Sequence, residues 1–374
     1  VPGPTQADFW LARRDAARRE IWPQLRGALP REDTPRQVLP TNVSGMTSVV
    51  WVLSGLPAGL PMTSTVFHKL RSAQARRERA FILHHGHDGA RFLPYPPSAE
   101  VCGGTPPDIC WWDHYNASAF LADLADADVF LVSMPLEGVN IQPPYPTNDH
   151  RWFQQWEEPG ASPLVNSSTT LRYFLEPVVL TLNYAEKLGY REFHMLGLSG
   201  GGWTTTVVAA LDPRIRRSFP DAGSTPLSFK HTSWDYEQLP QRSLYGQCNY
   251  LCMYVLAALE PGRVSVQVLH EDDPCCFAGR GVHDEILAYN GQVQAELQLR
   301  GAGRHGWFTT AVADWPRHEV AARDKSVVAA AWGVAASGSV SPADYARLPC
   351  DILRASAVPC HENAPPAQLR DLHV

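Results

Sequence analysis

The sequence predicts an α/β protein, a mostly parallel sheet flanked by helices, and three observations carry that prediction. From about residue 80 to residue 332, short apolar runs alternate with longer stretches of helical spacing, the pattern of a parallel sheet wrapped by helices. Two β-rich runs come before that alternation, Ser48–Leu53 (SVVWVL) and Thr63–Leu70, and read as antiparallel strands. One apolar strand, FHML, runs into a glycine-rich turn, GLSGG, and then into a helix-forming run, TTTVVAAL. A chain of 374 residues, 44% hydrophobic and 19% charged, can bury a large core as a single elaborated domain.

Taken in order, Thr5 to about Gly27 places Phe9, Trp10, Leu11, Ile21 and Trp22 among many charges and reads as an amphipathic helix, the main part of an N-terminal extension over 1–46. The main domain spans 47–334. Within it, Ala80–Leu83 is a strand entering HHGHDG, Ala117–Ala127 is helical, and Val129–Ser133 is the next buried strand. A Pro- and aromatic-rich insertion covers Pro135–Pro163. Leu171–Leu188 is a helix, Glu192–Leu196 a strand, and Val264–Leu269 a strand that ends in HEDDP. Ile286, Leu287, Val293 and Leu297 give Glu285–Arg300 its helical spacing. Trp307–Ala313 is the last strand and Val320–Trp332 the last core helix, leaving 335–374 as a tail.

The formal net charge of −6 argues against a nucleic-acid or anionic-membrane partner. Basic residues cluster at Arg13–Arg19 and Arg71–Arg79, but acids and alanines interrupt both runs, which read as solvated helix faces. No stretch approaches twenty apolar residues, so no transmembrane span is expected. Oligomeric state is not legible. A chain opening on Val1 rather than methionine is expected to be processed or trimmed, which leaves the lack of a readable signal peptide without weight.

The eight cysteines form close pairs: Cys102 with Cys110, Cys248 with Cys252, Cys275 beside Cys276, and Cys350 with Cys360. The spacing points to disulfides, hence to a secreted, periplasmic or other oxidising compartment. Cys102–Cys110 and Cys350–Cys360 would close short loops, the latter pinning the tail, while the pairing of the middle four stays open. Zinc is the weaker reading, because no CxxC pair has a matching second pair. Three Asn-X-Ser sequons, at Asn42, Asn116 and Asn166, would permit glycosylation in a eukaryotic host.

Gly197-Leu198-Ser199-Gly200-Gly201 is the motif that carries chemistry. A GxSxG turn between a strand and a helix lifts the serine hydroxyl above the sheet, and its glycines avoid collisions in the tight turn. The following helix aims its free N–H groups at negative charge developing beside Ser199. On this motif, and on the chain order Ser, acid, His, the sequence resembles the α/β-hydrolase superfamily over roughly Thr47–Trp332.

The resemblance implies an acid just past a later strand, where Glu271, Asp272 and Asp273 stand. Asp273, directly before Pro274, is the expected acid and Asp272 its runner-up. For the base, His318 in DWPRHEVA is preferred to His305 in GAGRHGWF, because Trp307–Ala313 as the final strand puts His318 in the loop after it. One oxyanion donor is expected from the N–H of Gly200, and the other from Gly86 or His87, by main chain, in the HHGHDG loop. Three histidines and an aspartate there could also suggest a metal site. The serine machinery already supplies the chemistry, so neither metal nor cofactor is expected. Trp111, Trp112, Tyr115, Tyr145, Trp152, Phe153 and Trp156 gather near the expected mouth of the site, and Trp111, Trp112, Trp152 and Trp156 are the expected substrate surface for apolar, aryl or sugar rings.

The expected reaction is hydrolysis of a small-molecule or polymeric carboxylic ester through an acyl-enzyme. A peptidase or amidase, a carbon–carbon (diketone) hydrolase and a non-catalytic binding module on the same fold are the alternatives.

Overall fold

In this computed structural model, residues 6–41, 45–53, 62–70, 78–84, 86–87, 121, 127–142, 150–157, 168–229, 235–277, 283–299, 305–313, 316–320, 324, 325, 327–329, 331 and 332 are described. Their strands are β1 Gln37–Pro40, β2 Met46–Leu53, β3 Met62–Lys69, β4 Arg79–His84, β5 Asp128–Val132, β6 Glu192–Leu198, β7 Ile215–Asp221, β8 Val264–His270 and β9 Trp307–Ala313. All nine join one sheet in the order β1-β2-β3-β5-β4-β6-β7-β8-β9. β1, β2 and β3 run antiparallel to their neighbours. From β5 to β9 every pairing is parallel.

The burial of each strand follows from its place. β2 and β3 alternate buried with half-buried residues, as strands with one face toward water do. β5, β8 and β9 are buried at every position, because helices cover both faces of the parallel part. The main helices are α1 Gln6–Ile21, α2 Arg172–Leu188, α3 Gly200–Leu211, α4 Tyr250–Ala257 and α5 His283–Gln298. α3 lies against β6 and β7 and is covered by α4. It is buried at all of its residues, including Trp203, Val207 and Leu211.

The expected α/β class is what the structure has, and most element boundaries agree within two residues. Two strands escaped the sequence reading. β7, IRRSFPD, carries two arginines and a proline that hide its burial, and the four residues of β1 are all exposed. Of Ala117–Ala127, Leu121 is helical and Ala127 is not, and the rest lies outside the described residues. In the last helix, residues 324, 325, 327–329, 331 and 332 are helical.

Of the basic run on α1 only Arg19 is exposed, so the run is only in part the solvated face expected of it; of the second run, residues 71–77 lie outside the described residues. Arg14 is 3% exposed and donates to the carbonyls of Ala210 and Leu256 and to Glu260. Arg18 donates to the carbonyl of Leu211, while Trp22 is fully buried and donates to Glu176. Charge at those positions docks α1 onto the ends of α3 and α4, which leave carbonyls without intrahelical partners. Cys248 is bonded to Cys252, and Cys275 to Cys276. Cys102, Cys110, Cys350, Cys360 and the three sequons lie outside the described residues. Among the described residues no helix is long and apolar enough to cross a membrane.

Candidate active site

Strand order brings the expected site residues to one edge of the sheet. β4 and β6 are parallel neighbours, with His84 opposite Gly197, so the HHGHDG loop and the GLSGG turn emerge side by side. β8 and β9 run the same way and deliver Asp273 and His318 at the same edge. The chain leaves β4 toward β5 on one side, whereas β6 lies on the other, and such a switch point opens a crevice at the carboxyl ends of the strands.

Ser199 leaves β6 with φ 58° and ψ −124°, a conformation that L-residues rarely adopt. Its N–H donates to the carbonyl of Asp221 at the end of β7 (2.9 Å), and its carbonyl accepts from Trp203 as α3 begins (2.8 Å). Gly197 makes the turn fit, since a Cβ there would lie 2.1 Å from the carbonyl oxygen of Gly201. Gly86 lies against the serine, where a Cβ would stand 2.6 Å from Ser199 Cβ and 3.2 Å from its Oγ. A Cβ on Gly200 would meet the His87 ring at 3.0 Å (Cε1) and 3.1 Å (Nδ1). The Gly86–His87 segment therefore faces Ser199 and Gly200 at contact distance.

In the loop after β8, Asp273 is 7% exposed. Its Oδ2 is 2.8 Å from His318 Nδ1, and its Oδ1 accepts the N–H groups of Cys275 (2.7 Å) and Cys276 (3.2 Å). Burial pushes this carboxyl up, but the His318 hydrogen bond and charge and the two N–H groups outweigh it and hold it below the ordinary carboxylate range. His318 Nε2 is buried and has no hydrogen-bond partner among the described residues. Asp272 is half-buried beside this pair, and the carboxylate on His318 is that of Asp273. His305 precedes β9 with Nδ1 on the carbonyl of Gly306 (2.6 Å), a strand's length of about 23 Å from the end that leads to His318.

Two carboxylate–imidazole clusters adjoin these residues, and the sequence reading assigned neither. Glu237 is fully buried, and its Oε2 lies 3.6 Å from His87 Nε2. Burial pushes Glu237 up, but the charge of His87 outweighs it and holds the carboxyl down at about 2. His150 packs beside His87, with ring centroids 5.1 Å apart and its Nε2 on the carbonyl of Pro135 (2.6 Å). Donor atoms of His87, His150 and Glu237 lie within 4.8 Å of one another, a spacing that a divalent cation can bridge.

Beneath Ser199, His270 Nε2 is 3.1 Å from Asp221 Oδ1 and 3.1 Å from Asp324 Oδ2, all three buried. Burial disfavours the charge of His270, but the two carboxylates outweigh it and hold the ring protonated, up to about 11. Burial, followed by the charge of Asp324, pushes Asp221 up to about 7.

Of the aromatic residues, Phe153 and Trp156 are buried, stacked and edge-on with Tyr173, with Trp152 half-buried on them at 4.3 Å from Trp156. The cluster reaches the site through His150, whose ring meets Phe174 at 4.9 Å. Trp111, Trp112, Tyr115 and Tyr145 lie outside the described residues.

No protein-family model matches the sequence. No curated protein matches it either. Solved structures do resemble it. A promiscuous CE15 esterase from a marine bacterial metagenome is 12% identical, covering 79% of this chain and 83% of that one, with a TM-score of 0.50. A glucuronoyl esterase from Solibacter usitatus is 13% identical over 87% of this chain and 91% of that one, with a TM-score of 0.51. The methylesterase BT1017 is 17% identical over 86% of this chain and 62% of its own length, also with a TM-score of 0.51. At such identities the likeness is one of fold. Its agreement with the strand order and with the strand–turn–helix at Ser199 assigns the chain the α/β-hydrolase fold.

Proposed function

We propose that the protein hydrolyses carboxylic esters through an acyl-enzyme on Ser199, with His318 as general base and Asp273 as the acid that orients it. The observation that carries this reading is the 2.8 Å contact between His318 Nδ1 and Asp273 Oδ2 at the sheet edge where Ser199 stands in its strained turn. His318 Nε2 takes the proton of Ser199 Oγ as the oxygen attacks the ester carbonyl. The tetrahedral oxyanion is held by the N–H of Gly200 and by the Gly86–His87 segment. His318 then protonates the leaving alcohol, and water repeats the cycle on the acyl-enzyme. Neither cofactor nor metal enters these steps.

That the structural neighbours are esterases supports an ester over other acyl bonds. The substrate is a small-molecule or polymeric ester, and the half-buried Trp152 is the aromatic surface we assign to its ring-bearing part. The cysteine pairs support an oxidising, extracytoplasmic location. The reading is tested with a chain-length series of p-nitrophenyl esters, and with a matched ester and amide, turned over by the parent and by Ser199→Ala. Ester turnover that collapses in Ser199→Ala is expected. Equal rates in the two proteins, with no phosphonate label on Ser199, would remove the serine mechanism.

A further inference from the structure

We propose that His87, His150 and Glu237 form a binding site for a divalent cation of the zinc class, and that the ion fixes the Gly86–His87 segment against the nucleophile turn. The site itself is independent of the Ser199 reading above, and its effect on turnover rests on that reading.

His87 Nε2 and Glu237 Oε2 stand 3.6 Å apart, too far for a hydrogen bond. Two ligands of one tetrahedral zinc, with bonds of about 2.0–2.1 Å, lie about 3.4 Å from each other. Glu237 is wholly buried. Its Oε1 accepts a hydrogen bond from Gln238 (3.2 Å), but its Oε2 has no hydrogen-bond partner among the described residues. A buried carboxylate oxygen that faces an imidazole beyond hydrogen-bond reach is satisfied by an ion between the two.

His150 has the arrangement of a zinc-ligating histidine. It is buried, and its Nε2–H donates to the carbonyl of Pro135 (2.6 Å). That bond fixes the proton on Nε2 and gives Nδ1 the lone pair that a metal takes. An edge-on contact with Phe174, 4.9 Å between ring centroids, holds the ring in place. Asp235 and Glu137 add negative charge around His87, which draws a cation to the site. Two imidazoles and one carboxylate suit zinc, with a fourth position for water, whereas magnesium and calcium take oxygen ligands.

The other groupings of such donors among the described residues differ. His270 is already at hydrogen-bond distance from Asp324 (3.1 Å), and Cys275 is bonded to Cys276. The three proposed ligands come from separate segments: the loop after β4, the 3-10 turn His150–Phe153 and the 3-10 turn Tyr236–Gln238. An ion joining them would hold His87, whose Cε1–Nδ1 edge lies against Gly200, and with it Gly86, which stands against Ser199. The ion is thus a positioning group for the oxyanion segment and takes no part in acyl transfer.

The test uses the full chain without a histidine tag. After dialysis against a chelator, zinc alone is titrated in competition with a chromophoric chelator, and cobalt is loaded for its visible spectrum. One equivalent of zinc per chain and the spectrum of four-coordinate cobalt are expected. His150→Ala and Glu237→Gln should each weaken zinc binding by more than the about 10–100-fold that loss of an outer partner costs. His305→Gln, at the far end of β9, should bind zinc as the parent does. The stripped parent should keep its circular dichroism spectrum, label Ser199 with a phosphonate more slowly, and recover when zinc is returned.

A parent that takes up no zinc would overturn the site, and so would binding that survives both variants. The stoichiometry and cobalt spectrum of the parent decide the matter even where a variant does not fold. Zinc that binds, yet whose removal changes neither labelling nor turnover, would defeat its hold on the oxyanion segment. Full ester turnover in Ser199→Ala would defeat the serine reading, and the zinc stoichiometry would still stand.

Discussion

His318 reaches Asp273 at 2.8 Å on one carboxylate oxygen, while the N–H groups of Cys275 and Cys276 hold the other. Three donors thus leave that carboxylate a single orientation, and the imidazole follows it. Asp273→Asn would present an N–H where His318 needs an acceptor and so impose the wrong tautomer. It is expected to lower kcat for ester hydrolysis by about 10⁴-fold. Asp272→Asn, one residue away, should leave kcat unchanged. Equal losses in the two variants would show that the loop's charge matters, not the contact with His318.

Gly86 is the second point where backbone and nucleophile meet. A Cβ at that position would stand 2.6 Å from Ser199 Cβ and 2.9 Å from the carbonyl oxygen of Leu198, so the segment must move away. Gly86→Ala should therefore weaken oxyanion stabilisation and lower kcat by about 100-fold. Slower phosphonate labelling of Ser199 in a protein with an unchanged circular dichroism spectrum would support that cause. Full activity would mean that the second donor lies elsewhere.

The fold was legible because its signals are local. Strand–turn–helix at Ser199, the apolar run into HEDDP and the strand before His318 are each written within about ten residues. The preference for His318 rested on reading Glu285–Arg300 as a helix, and α5 covers residues 285–298 of that stretch. Glu237 and His150 carried no such signal. Glu237 sits in a single 3-10 turn, Tyr236–Gln238, His150 in the Pro-rich insertion, and only the folded chain brings them to His87. Arg14 and Arg18 misled for the opposite reason. A charged run reads as solvated until the carbonyls it caps, on α3 and α4, are in view.

Strain at Ser199 gives a prediction about stability rather than rate. A non-glycine residue held at φ 58° and ψ −124° costs about 1–3 kcal/mol. Ser199→Gly would relieve it, against about 0.4–1 kcal/mol of added freedom in the unfolded chain. Ser199→Ala would keep it. Both variants should be inactive, and the glycine form should be the more stable of the two by about 1 kcal/mol in urea unfolding. An alanine form more stable than the glycine form would mean that the turn stores no strain.

Glu260 is the anchor of α1, far from the chemistry. Its carboxylate binds Arg14, 4% exposed, and Arg263, fully buried, and is itself 29% exposed. Burial pushes Glu260 up, but the two guanidinium groups outweigh it and bring it down to about 2. Glu260→Gln would leave two buried cations without their countercharge, a change that costs about 3–5 kcal/mol. The lower end is expected, because Arg263 keeps the carbonyls of Ile215 and Leu256. The sign with pH follows from the lowered value. The contribution is complete above the unfolded glutamate value of about 4.3 and fades as pH falls toward about 2. Urea midpoints of parent and variant should thus differ widely at pH 7 and converge by pH 2–3, with activity per folded molecule unchanged. A gap that stays constant across that range would show that packing around Glu260, rather than its charge, holds α1 in place.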